Sequence, residues 1–305
     1  MSQASSTAYD RLRALAAQLT VPDAVRTTVA ATPGDPRPGQ IWRAVWEDVV
    51  EIVAITAVDD SAVHALPVSL ETRFHDADTL LLTAEASTLE QPIALWCGLG
   101  NRLPWFVLDR RVSQLSISLD ADGSPAPATN GYSYGSPIPS PAAQAAEFRA
   151  ALADTMDLLA AAQWAPQGNG NLAVLLKQHA VGPADLIQHL NIQPPHALAL
   201  LRSQTQLTPD EAGLLAPVLG LAVDEVLAAN PSLPEPLVHE LSRPIRRVQI
   251  RRLAQLNKTA ELDARRQALF ATLALAARQE RPAEADWSAR VDRYFDVHLG
   301  QGSKR

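Results

Sequence analysis

The spacing of apolar residues changes twice along this 305-residue chain, and each change predicts a change of structure. Leu12, Leu15 and Leu19 recur at helical spacing, which predicts a short amphipathic helix over 5–19 in an N-terminal segment, 1–31. The Pro/Gly-rich stretch TPGDPRPG at 32–39 ends that pattern. QIWRAVW, VVEIVAITAV, AVHALPVS, TLLL, PIALWC and WFVLDRRVSQLSISL follow, rich in Val, Ile, Trp and Phe and separated by Asp-Asp, Pro and Gly. They predict about six short strands ending near Leu119, hence a small, strongly curved antiparallel β-barrel over 32–119. Pro, Gly and Ser dominate 120–142, where periodicity disappears, so this stretch is expected to be a linker.

Everything beyond residue 142 has the helical period. Helices are predicted at 142–163, 171–180, 183–190, 194–203, 208–219 and 223–229. Pro231, Pro234 and Pro236 interrupt, and further helices are expected at 235–257, with a kink at Pro244, then 260–280 and 284–298. The expected fold class is α+β and multidomain: the β-barrel, a helical domain over 143–230, and a C-terminal helical region over 231–305.

Composition adds limits. The chain is 47% hydrophobic and 19% charged, enough apolar material for real cores. No apolar run approaches the roughly 18–20 residues that cross a bilayer, and the N-terminus lacks the pattern of a secretory signal. A single cysteine, Cys97, cannot form an internal disulfide or a Cys-based zinc site. A cytoplasmic protein without cofactor or metal is expected, and Ala-rich composition with only three lysines suggests a bacterial source.

Net charge is −7, which argues against a surface coated for nucleic acid, yet charge is unevenly spread. Segment 243–258 (RPIRRVQIRRLAQLNK) carries Arg243, Arg246, Arg247, Arg251, Arg252 and Lys258 and no acid. Such a run is a candidate for tracking a phosphate backbone. Other motifs carry less. GYSYG at 131–135 matches G-x-S-x-G but lies in the linker stretch, without the strand-turn-helix context of a nucleophile elbow. RFHDAD at 73–78 reads as an acidic turn, and the seven histidines form no H-E-x-x-H.

The region 171–230 resembles the Cro/repressor-type helix-turn-helix family. The resemblance rests on Ala184-Asp185-Leu186, Leu190-Asn191-Ile192, Leu198, Leu201 and LLAPVLGLAVDEVL at 214–227, and spans all five predicted helices. It implies that the third helix enters the major groove of double-stranded DNA, with Gln193, His196, Ala199 and Arg202 as base-reading candidates. It also implies a homodimer. One departure is charge: 170–230 holds Lys177 and Arg202 against five acids.

PGQIWRA at 38–44, ALPVS at 65–69 and LPWFVLDRRVSQLS at 103–116 are similar to the PemK/MazF-type toxin barrel, an SH3-like fold. That family cuts RNA with a basic residue on an early strand and a Ser/Thr after the proline of the middle strand. Ser69 matches the second feature, but EDVVEIVAITAV at 47–58 supplies no cation to stabilise the phosphate. A degenerate barrel serving dimerisation or a protein partner is expected instead. The leading expectation is therefore a non-enzymatic bacterial transcription regulator that binds DNA. Its rivals are a protein-interaction adaptor or antitoxin-like component that does not read DNA, and a ribonuclease toxin.

Overall fold

The computed structural model describes residues 23–31, 33–125, 131–135, 143–165, 168–277 and 286–300. The helix expected over 5–19 lies outside them. The chain divides into two compact units, Met1–Ala162 and Gln163–Arg305.

In the first unit, α1 (Asp23–Ala30) precedes an eight-stranded antiparallel sheet. Strands β1 (Gln40–Trp46), β2 (Val49–Val58) and β3 (Ala62–Ser69) form a meander, with Ile41 opposite Ala54 and Val58 opposite Val63. The two-residue β1–β2 turn puts Glu47 in the left-handed region, at φ 50. On its edge away from β2, strand β3 is long enough to have two partners. Its first half pairs with β6 (Asn101–Pro104) and its last residues with β5 (Ile93–Trp96). β4 (Thr79–Leu82) lies beside β5, and β7 (Leu108–Gln114) beside β1. Register shifts along the β1–β7 pair bend that edge, as extra residues in one strand do.

Strand order is β7-β1-β2-β3-β5-β4-β8, with β6 on β3, and no ladder joins the two ends among the described residues. The sheet is open, where a closed SH3-like barrel was expected. Its ends approach through one bridge, Ser87 to Leu115, beside a Ser116 N–H to Ala86 carbonyl bond of 2.8 Å. Inside the curve, Ile41, Leu66, Leu80, Leu82, Ile93 and Leu95 form a core.

The linker expectation needs correction. GYSYG contributes β8 (Tyr132–Tyr134), which pairs with β4, because alternate tyrosines suit a sheet edge. Helix α2 (Ala143–Ala160) belongs to the sheet unit, which moves the expected boundary from residue 142 to residue 162. It packs on β1, β2 and β6, burying Leu152, Met156 and Leu159, while Phe148 meets Phe74 and Trp96. Arg149 forms an ion pair with Asp76, inside the motif read as an acidic turn.

The second unit is helical throughout its described residues. Helices α3 (Leu172–Gln178), α4 (Pro183–Leu190), α5 (Pro194–Leu201), α6 (Pro209–Leu219) and α7 (Val223–Ala228) share one core of Leu172, Leu176, Leu186, Leu200, Leu215 and Val226. Two of the starts are closed by their own side chains. The Thr208 hydroxyl accepts from the Glu211 N–H at 3.2 Å, and the Glu211 carboxylate accepts from the Thr208 N–H at 2.8 Å. Asp185 likewise accepts from the Gly182 N–H at 2.7 Å. Instead of one kinked helix over 235–257, there are two, α8 (Glu235–Ser242) and α9 (Pro244–Asn257). Arg243 between them is extended, at φ −62 and ψ 139, as the residue before a proline tends to be. Helices α10 (Glu261–Ala277) and α11 (Trp287–Gly300) complete the unit, with Ile250, Leu253, Leu269 and Phe295 buried.

Candidate nucleic-acid interface

The orientation of α5 follows from two residues. Ala197 and Leu200, three positions apart, are both fully buried against the core shared with α3 and α6. The turn before it runs through Asn191, in the left-handed conformation at φ 51 and ψ 42, which Asn tolerates better than most residues. Between them, these features turn Gln193, Pro194, Pro195, Leu198 and Arg202 toward solvent. That face is mixed: Leu198 is 41% exposed, and its one cation, Arg202, caps the far end of the helix.

The four base-reading candidates therefore stand in three settings. Gln193 is the exposed residue before the helix, with φ −75 and ψ 149, and Arg202 is exposed at the C-terminus. His196 is half-buried, and its Nε2 lies 2.8 Å from Glu211 at the start of α6. That hydrogen bond raises the His196 pKa above its ordinary value. Burial pushes Glu211 upward, but His196 and Thr208 outweigh it and hold the carboxyl below its usual range. Ala199 is half-buried and lines a groove against α10. Pro194 and Pro195 have no N–H, and the His196 amide bonds the Gln193 carbonyl at 3.0 Å, so the first turn of α5 offers no free amide to a phosphate.

The phosphate candidates on and beside α9 are mostly occupied within the fold. Glu240 receives Arg243 at 3.1 Å and the Arg246 Nε at 2.8 Å. Arg246 also reaches Asp292 on α11. Glu261 receives Arg247 and Arg251, each at 2.8 Å, and Arg265 at 3.2 Å. The Arg246 and Arg247 side chains are 5% and 7% exposed, so neither guanidinium faces solvent. Arg252 and Lys258 are exposed. The basic run is thus an internal ion-pair network with two outward cations. Sequence did not reveal this, because the neutralising acids lie at 240, 261 and 292, outside the 243–258 window.

In the first unit, the Ser69 hydroxyl is buried and accepts from the Glu71 N–H at 2.9 Å. Arg43, on β1, is held by buried Asp109 through its Nε at 2.7 Å. Both side chains are thus engaged within the fold, with Arg43 still 44% exposed. Among the described residues, no cluster of three His, Cys, Asp or Glu could hold a metal, and no helix is long and apolar enough to cross a membrane. No family model, curated protein or solved structure matches the chain.

Proposed function

We propose that the chain is a DNA-binding transcription regulator of the repressor type, with α4 and α5 as its helix-turn-helix. The supporting observation is the packing of α5: Ala197 and Leu200 bury one face, leaving Gln193, Leu198 and Arg202 outward on the face such a helix would put into the major groove. In this reading Gln193 pairs with adenine, Arg202 meets a base or a phosphate, and Arg252 and Lys258 supply the outward phosphate contacts. Two copies bind two half-sites, in a bacterial cytoplasm. The curved sheet of the first unit acts as a degenerate SH3-like, toxin-type module for dimerisation or a protein partner, without catalysis.

One observation favours a second reading, an adaptor that binds protein and not DNA. The 170–230 region is acidic, and Glu240 and Glu261 neutralise the arginines that would repair the deficit. Few outward cations release few counterions, so DNA affinity per copy is modest.

Selection from randomised duplex DNA at low and physiological salt separates the two. A regulator enriches a two-half-site motif. Gln193→Ala and Arg202→Ala then cost about 1–3 kcal/mol each on that motif and relax its preference. Arg252→Ala and Lys258→Ala weaken every sequence alike and flatten the salt dependence, by about one unit of slope for each phosphate no longer neutralised. A folded chain that enriches no motif sinks the regulator reading and leaves the adaptor.

A further inference from the structure

A groove lies beside α5, on the side of His196 and Ala199. It measures about 770 Å³ and opens between α5 with its following loop and α10. That size falls within the roughly 300–1,000 Å³ of small-molecule sites. His196 and Ala199 form one wall, and Arg266, Phe270, Leu273 and Ala274 the other. Gln206 and Thr208 also line it.

Arg266 is the unusual member. Its Nε is buried and has no hydrogen-bond partner, and it makes no ion pair among the described residues. Arg247, Arg251 and Arg265, by contrast, each form an ion pair with Glu261. Burial depresses the Arg266 pKa, opposed by the charges of Asp263 and Glu211 nearby. Glu211 is already bonded to His196 and Thr208, and Asp263 is exposed on the same helix. A guanidinium remains charged at any ordinary pH, so a half-buried one without a bonded anion bears a desolvation cost that a bound anion removes.

We propose that this groove binds a small amphipathic carboxylate, its head on Arg266 and its apolar body along Phe270, Leu273 and Ala274. Arginine matches a carboxylate through two parallel N–H bonds, which gives orientation as well as attraction. Asp263, which also lines the groove, selects against a doubly charged head such as a phosphate monoester. The alanines at 199 and 274 leave room for a chain or a ring. The inference stands whether or not α5 meets DNA, because it depends on Arg266 and the α10 wall of the groove.

Calorimetry on the full chain tests it with octanoate and 3-phenylpropanoate against octanamide and 3-phenylpropanamide. The acids are expected to bind at least about tenfold more tightly than the amides, the scale of a charge-assisted hydrogen bond. Arg266→Gln should abolish that preference, Arg266→Lys should keep part of it, and Ala274→Trp should block acids and amides alike. Equal affinity for acids and amides overturns the proposal, as does the absence of binding by any of the four at millimolar concentration. Undiminished acid binding by Arg266→Gln does so too. If Arg266→Gln fails to fold, the acid-to-amide ratio of the unsubstituted chain decides.

Discussion

Asn230 is fully buried, and its side-chain amide spans both polar groups of Leu207. Its Oδ1 accepts from the Leu207 N–H at 2.8 Å, and its Nδ2 donates to the Leu207 carbonyl at 3.1 Å. Two residues beyond α7, Asn230 thereby fixes the loop that enters α6. Its own carbonyl accepts from the Gly170 N–H at 2.8 Å, which ties in the start of α3. Gly168 comes so close that a Cβ there would lie 1.9 Å from the Asn230 carbonyl oxygen. Asn230→Ala strands a buried donor and a buried acceptor, and should cost about 2–4 kcal/mol in chemical denaturation. A cost below about 0.5 kcal/mol would mean that water replaces the amide. None of this was visible in the sequence, where Asn230 before Pro231 reads as an ordinary helix stop. The Thr208–Glu211 capping box differs, because its bonding stays within four residues and its pattern is local.

At the scale of elements, α9 is the instructive helix. Its arginines look like a solvated cationic stripe, but Glu240 and Glu261 sit just beyond each end and fold back onto them. Glu261 alone receives three guanidiniums, one of them Arg265, whose burial pushes its pKa down to about 10. Burial works to raise the Glu261 pKa, but Arg247, Arg251 and Arg265 win and hold it below its usual value. Glu261→Gln leaves buried cations unpaired, so it should destabilise the chain by about 2–4 kcal/mol near neutral pH. The sign of the pH dependence follows. A depressed carboxylate stabilises above its unfolded pKa of about 4.3, and that contribution is lost as pH falls through the folded value. The gap in Tm between the parent chain and Glu261→Gln should therefore be widest above pH about 5 and close as the solution is acidified. A gap independent of pH would mean that the carboxylate does not hold these arginines. For the same reason, Arg246→Ala and Arg247→Ala report on folding before they report on DNA.

For the whole molecule, the regulator reading predicts association. A repressor-type domain reads paired half-sites about one helical turn apart, so the chain should sediment as a dimer on its preferred duplex. A single copy per duplex at micromolar concentration would count against that reading. The molecule also shows where local reasoning stops. Periodicity and proline positions determined most element identities: the strands β1 to β3 and α3 to α7, almost to the residue, follow from interactions within a few residues. Packing decided the rest. β6 and β8 are short and take their partners from distant strands, so nothing local marked them. Whether the sheet closes is likewise a long-range matter, and among the described residues no ladder joins β7 to the β4–β8 edge. The same dependence governs charge. The sequence shows how many arginines stand in a row, but whether each faces water, Glu240 or Glu261 depends on helices brought together from 3 to 46 positions away. Of the four residues expected on the outward face of α5, Gln193 and Arg202 are exposed and His196 and Ala199 half-buried, while the fate of the basic run and the unbonded Nε of Arg266 emerged only when α10 and α11 packed against their neighbours.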